Sequence, residues 1–484
     1  MPRRQSNGSA IISLLSIPVL LMLAGCAQQA APSGPAFGGA VAEEPRAATV
    51  AGDVLEQGGS AADGAVAAFF AMTATYPAAA SLGGGGACLV HRPDPTKTEV
   101  LEFPVRPPAR GGTIGVPSAV PAMYALHARY GKLRWATVLG PGEQLARFSH
   151  PMSRALARAV RATSLGLLDT ASPIFGAPGG DVLQEGQTFR NAALGATIGR
   201  LRTTGPQDLH RGQLARALVA DISAEGGQVD EQDLRAVGPV WSAPISIEYD
   251  NSFLYVPNNL AGEVFRDLWS DLVREPGLWR RASVDRSRFL DAIGKANQRF
   301  GTSPPIGSDN TAGLLVADGS GLVVACVFTM GPPFGSQRYG KSTGIMLASA
   351  PKGGIDQQQL LLPIVGASPN IKQVFLGATA TGGALAPAAA FETISQIVAA
   401  GRRAPEALMS PRVFWAGPGS IMLFENGTPA AMVADAHTRN IDAVIMQAVG
   451  HVNLLHCTEA LPRVPQSCGV RADPRGFGLG AGGF

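Results

Sequence analysis

Charge is scarce in this chain. Only 15% of its 484 residues are Asp, Glu, Lys or Arg, and the net charge is +3. That balance gives no basis for binding nucleic acid. An apolar run long enough to cross a bilayer is also missing. The best candidate, Ile11 to Leu23, is shorter than the roughly 20 residues a spanning helix needs. Cysteine is sparse, at five residues, and the seven histidines are scattered with no carboxylate cluster beside them. No metal and no other cofactor is therefore expected. Internal repeats are absent, which excludes solenoid and propeller architectures.

What is present begins with a leader. Arg3 and Arg4 precede the apolar run, which ends in Leu23-Ala24-Gly25-Cys26. A charged start, a short apolar stretch and small residues before a cysteine resemble a bacterial lipobox, with Cys26 as the lipidated residue. Residues 27–46 are rich in Ala, Pro and Gly and read as a flexible tether. The expected location is the bacterial cell envelope, lipid-anchored, on the periplasmic face of the outer membrane. In such an oxidising compartment Cys457 and Cys468 are permitted to pair. Cys88 and Cys326 lie in apolar runs and read as small core residues.

The remaining chain alternates helical and strand patterns. Residues 49–72 read as two helices, broken at Gly58-Gly59 and restarted by Ser60 as N-cap. Helices dominate to about residue 300, and strands lead from Thr311 onward. Thr311 to Met330 reads as two apolar strands around Gly319-Ser320-Gly321. A three-residue loop with Gly321 in the left-handed position sets Asp318 opposite Leu322. Thr311 then faces Thr329, whereas a two-residue loop would pair Thr311 with Phe328; the glycine spacing favours the first register. A cross-strand Thr–Thr pair is ordinary sheet chemistry. It becomes catalytic if the bond between Asn310 and Thr311 is cut. The freed α-amine, with a pKa near ~8, then stands beside the hydroxyl as its base.

Several segments resemble the γ-glutamyltransferase (glutathione hydrolase) family. They are Leu55 to Ala68, Ser81 to Gly86, Ile114 to Pro121 followed by Tyr130-Gly131-Lys132-Leu133, and Ala472-Asp473-Pro474-Arg475-Gly476. The resemblance implies an α+β fold, the four-layer αββα sandwich of N-terminal nucleophile hydrolases. It divides the chain into a large-subunit-like region (47–310) and a small-subunit-like region (311–484), together one folded unit. It makes Thr311 the nucleophile after self-cleavage at Asn310–Thr311, Thr329 its supporting threonine, and Gly382-Gly383 the oxyanion hole.

The same resemblance exposes losses. Ala312 and Gly313 stand where the family carries Thr and His. Pro104 occupies the place of the arginine for the substrate carboxylate, with Arg106 or Arg110 as substitutes, neither in register. Gly331, Ala348 to Gly353, and Val365-Gly366-Ala367 replace other glutamyl-binding residues. The implied activity is amide hydrolysis or acyl transfer on a small amide or peptide, with an acyl group other than γ-glutamyl. The alternative is an inactive envelope lipoprotein keeping the fold. Gly335 to Ser342 also fits the spacing of a phosphate-binding loop. Pro332-Pro333 before it and a strand-like run after it argue against a nucleotide partner.

Overall fold

The computed structural model describes residues 38–273, 286–301, 311–353 and 355–484. Cys26 and Asn310 lie outside the described residues. Two antiparallel sheets organise the described chain. The first runs, in spatial order, Leu479–Gly483, Gly38–Ala42, Thr311–Asp318, Val323–Thr329, Gly85–Pro93, Thr96–Phe103 and Val240–Ser242. The second runs Cys468–Arg471, His451–Leu461, Gln373–Thr381, Leu362–Ser368, Ser252–Val256 and Ile245–Tyr249. Each sheet takes strands from both sides of residue 310, so neither region could complete a sheet alone.

Side-chain alternation along the strands builds the layers. On Thr311–Asp318, Ala312, Leu314 and Val316 join the core under the helices Pro45–Glu56 and Ala61–Thr75. Leu315 and Ala317 point the other way and pack between the sheets with Val323, Val365, Val374 and Leu455. The helices Leu260–Leu272 and Ala386–Val398 cover the outer face of the second sheet. The result is helix, sheet, sheet, helix: the expected four-layer sandwich. Strands buried on both faces read as unbroken apolar runs, which is why the Leu314 to Val327 region shows so little alternation.

The hairpin has the expected register. Thr329 is opposite Thr311, Gly321 has φ +85°, and the Asp318 N–H donates to the Leu322 carbonyl. Ser60 caps Ala61–Thr75 in a capping box with Asp63. Asp63 also accepts from the backbone N–H groups of Lys132 and Leu133. One carboxylate thus ties two of the family-like segments together. Asp318 accepts from the N–H of Ala61, joining the same helix to the far end of the Thr311 strand.

Two expectations need correction. The stretch 27–46 was expected to be a tether, but Gly38–Ala42 is a fully buried strand and Pro45 opens a helix. Its small residues suit a crowded central position, flanked by Thr311–Asp318 and Leu479–Gly483. Cys88 and Cys326 were expected to be separate core residues. They are directly opposed on neighbouring strands and form a disulfide. Cys457 and Cys468 form a second one. Among the described residues no helix is long and apolar enough to cross a membrane.

Candidate active site

Thr311 begins its strand on the face that looks toward the second sheet. Two residues on, Gly313 brings the sheets together. A Cβ there would lie 2.4 Å from Thr379 Oγ1 of the second sheet. The glycine at this family-divergent position is therefore required by the close approach. Thr311 is 3% exposed, and its Oγ is buried without a hydrogen-bond partner. Thr329, across the ladder, is fully buried, and its Oγ accepts from the Gly331 N–H at 3.0 Å. The two threonines are opposed as expected, but no hydrogen bond joins their hydroxyls in the uncut chain.

A cleft holding about 60 Å³ of space opens at Thr311, enough for a few waters. Its lining includes Glu43, Arg158, Gln447, His451 and Arg475. Glu43 follows the Gly38–Ala42 strand, and its N–H donates to the Gly313 carbonyl. Its buried carboxylate accepts from Thr381 Oγ1 at 3.2 Å and Asn453 Nδ2 at 3.3 Å, both on the second sheet. Glu43 therefore bridges the two sheets beside Thr311.

Behind the cleft lies a buried ionic network. Arg412 and Asp473, each with a side chain 1% exposed, pair at 2.7 Å. Arg475 pairs with Glu425 at 2.5 Å and with Asp473 at 3.3 Å, and it donates to the carbonyls of Leu408 and Ser410. Asp473 also accepts from the Val452 N–H, next to His451. Burial alone would raise the Asp473 carboxyl, but Arg412 and Arg475 outweigh it and hold it below its usual range. Glu425 and Asp473 in turn hold the Arg475 guanidinium above its usual range despite burial. This explains the Asp-Pro-Arg segment: it pins the loop carrying Gly476 and Phe477, which also line the cleft.

Gly382 and Gly383 follow the Gln373–Thr381 strand with φ of 116° and 64°, values that favour glycine. Their carbonyls accept from the N–H groups of Leu385 and Ala386. The Gly383 N–H, on the opposite edge of its peptide plane, therefore points away from the following helix. Neither glycine lines the cleft, though Thr381 beside them is bonded to Glu43. Arg106 is exposed, its carbonyl bonded to the Val116 N–H, and it does not line the cleft.

The phosphate-loop spacing has a structural explanation. The N–H groups of Ser342 and Thr343 donate to the buried Asp221, so an internal carboxylate occupies the anion's place. No helix opens there. Gly340-Lys341-Ser342-Thr343-Gly344 also fits Gly-x-Ser-x-Gly, and it lacks the strand-to-helix setting of a nucleophile elbow for the same reason.

Sequence reasoning missed Glu43, Arg158 and His451 as cleft residues. Glu43 lay in a supposed tether, and Arg158 lay in an unmarked helix. His451 is one of seven scattered histidines with no sequence neighbour to mark it. Besides Thr311, Arg475 and Gly476 carried a signal, in the Asp-Pro-Arg-Gly segment.

Comparison with known proteins places these features. Residues 47–269 match the family model for gamma-glutamyltranspeptidase. The glutathione hydrolase proenzyme of Pseudomonas aeruginosa is 29% identical over 253 residues, covering 47% of this chain and 44% of that protein. Scoloptoxin SSD14 of Scolopendra dehaani is 30% identical over 206 residues, covering 39% of this chain and 36% of that protein. The chain thus spans less than half the length of these curated relatives. Cephalosporin acylase from Bacillus halodurans has the same fold, with a TM-score of 0.74 at 21% identity, covering 94% of this chain and 98% of that one. The matched sequence ends before Thr311, and the shared architecture continues through it. Residues 47–269 thus carry the likeness in sequence to gamma-glutamyltranspeptidases, and the likeness beyond them is one of fold.

Proposed function

We propose that this protein is a self-cleaving amidohydrolase or acyltransferase whose nucleophile is Thr311. The observation that carries the reading is the unpartnered, buried Thr311 Oγ beside a polar cleft at the sheet rim. A buried hydroxyl without a partner costs free energy, so its retention suits a reactive role. Hydrolysis of the Asn310–Thr311 peptide bond consumes one water. It leaves a carboxylate on residue 310 and an amine on Thr311. That amine takes the hydroxyl proton as Thr311 Oγ attacks a substrate amide carbonyl. The N–H groups of Gly382 and Gly383 stabilise the oxyanion, and the leaving amine departs protonated. Water or an acceptor amine then resolves the ester. Thr329 orients the nucleophile once scission frees the strand end. The lost glutamyl-binding segments support an acyl group other than γ-glutamyl. Lipidated Cys26 would hold the enzyme at the periplasmic side of a membrane.

Reducing denaturing electrophoresis tests the reading. Wild type should yield two fragments meeting at residue 310, and Thr311→Ala should stay whole. A persistently intact wild type, unlabelled at Thr311 by acylating inhibitors, would leave an inert scaffold.

A further inference from the structure

The cleft contains a cation with nothing to do. Ala155 and Arg158 line it from one face of the helix Arg154–Phe175, being three residues apart. Arg475, also in the lining, is fully committed to Glu425, Asp473 and two carbonyls. Arg158 forms no ion pair among the described residues. Its guanidinium carbon lies 5.8 Å from the centroid of the Phe477 ring. Packing against an aromatic ring fixes the guanidinium while leaving its N–H edge free for a planar, bidentate oxyanion. Phe477 is itself held by the loop that Asp473 and Arg475 anchor. The opposite charge in the cleft, Glu43, is engaged by Thr381 and Asn453.

We propose that Arg158 determines specificity by gripping a carboxylate on the acyl portion of the substrate. The pairing does not require an ammonium group on the same portion, because Glu43 is already held by its own donors. The arginine acts from a helix separate from the Pro104–Arg106 segment, none of whose residues lines the cleft. Assignment to the acyl portion rests on Thr311 as nucleophile; the presence of an oxyanion site does not.

Two measurements on the mature protein separate these claims. Glutaryl-p-nitroanilide and butyryl-p-nitroanilide differ by a terminal carboxylate. Wild type should favour the glutaryl compound in kcat/KM by at least about tenfold, the scale of one charge-assisted pair. Arg158→Ala should erase the preference mainly through KM, and Arg158→Lys should restore part of it. Arg154→Ala, which removes a surface pair with Glu185, should change nothing. Separately, ligand-observed NMR should show glutarate binding more tightly than pentane-1,5-diol, with the difference lost in Arg158→Ala. Thr311-dependent hydrolysis without charge preference overturns the role of Arg158 and leaves the nucleophile standing. Arg158-dependent glutarate binding without anilide hydrolysis does the reverse. Equal binding of glutarate by wild type and Arg158→Ala also overturns the proposal.

Discussion

Glu392 offers a sharp electrostatic test of the second core. It lies on the helix Ala386–Val398, buried, with Oε1 accepting from the Val413 N–H at 2.9 Å. Burial pushes its carboxyl from 4.5 up to about 8, against weaker opposing pulls from the Val413 N–H and Arg412. The folded protein therefore holds a proton there that the unfolded chain releases. Such a raised carboxyl favours folding below the unfolded value and penalises it as pH climbs toward the folded value. Between pH 4.5 and 7 the span is 2.5 units, so the penalty reaches about 3 kcal/mol at pH 7. Glu392→Gln keeps an acceptor for Val413 and removes the proton requirement. The expected outcome is a gain of about 3 kcal/mol at pH 7 and little change near pH 4.5. Urea unfolding in a Thr311→Ala background, where the chain stays whole, measures both. Identical pH slopes for the variant and its parent would refute the reasoning.

Other substitutions probe the site and its support. Asp473→Ala leaves Arg412 charged and buried and should cost about 3–5 kcal/mol in the same unfolding assay. Gly313→Ala forces a Cβ against Thr379 and should cost about 1–3 kcal/mol and slow self-cleavage, measured by gel time course. Adding Thr379→Ala should recover part of both. Gly382→Ala strains a φ of +116° and presses on the Gly450 backbone. It should reduce amidase kcat by about 100-fold or more, measured on pre-cleaved protein.

Local rules carried the sequence far in some places. The glycine spacing of one turn placed Thr311 opposite Thr329, because hairpin register depends on a few adjacent residues. Ser60 announced a helix start for the same reason. Glu43 could not be found this way. Its strand is Gly-Ala-Val in a Pro- and Ala-rich stretch, and its burial comes from partners near residues 315 and 480. Likewise, Cys88 and Cys326 are separated by 238 positions, and nothing near either one specifies their common register. Arg158 is an unremarkable helical arginine until the C-terminal loop brings Phe477 against it.

The Cys88–Cys326 bond bears on what kind of molecule scission would create. One cysteine precedes residue 310 and the other follows it, so the two products would remain covalently linked. Their unfolding would stay first-order in molecularity, with each half held at high effective concentration beside the other. The melting temperature of the cut protein should then be independent of dilution. It should become dilution-dependent only after a reductant opens this bridge, since Cys457–Cys468 lies wholly within the later half.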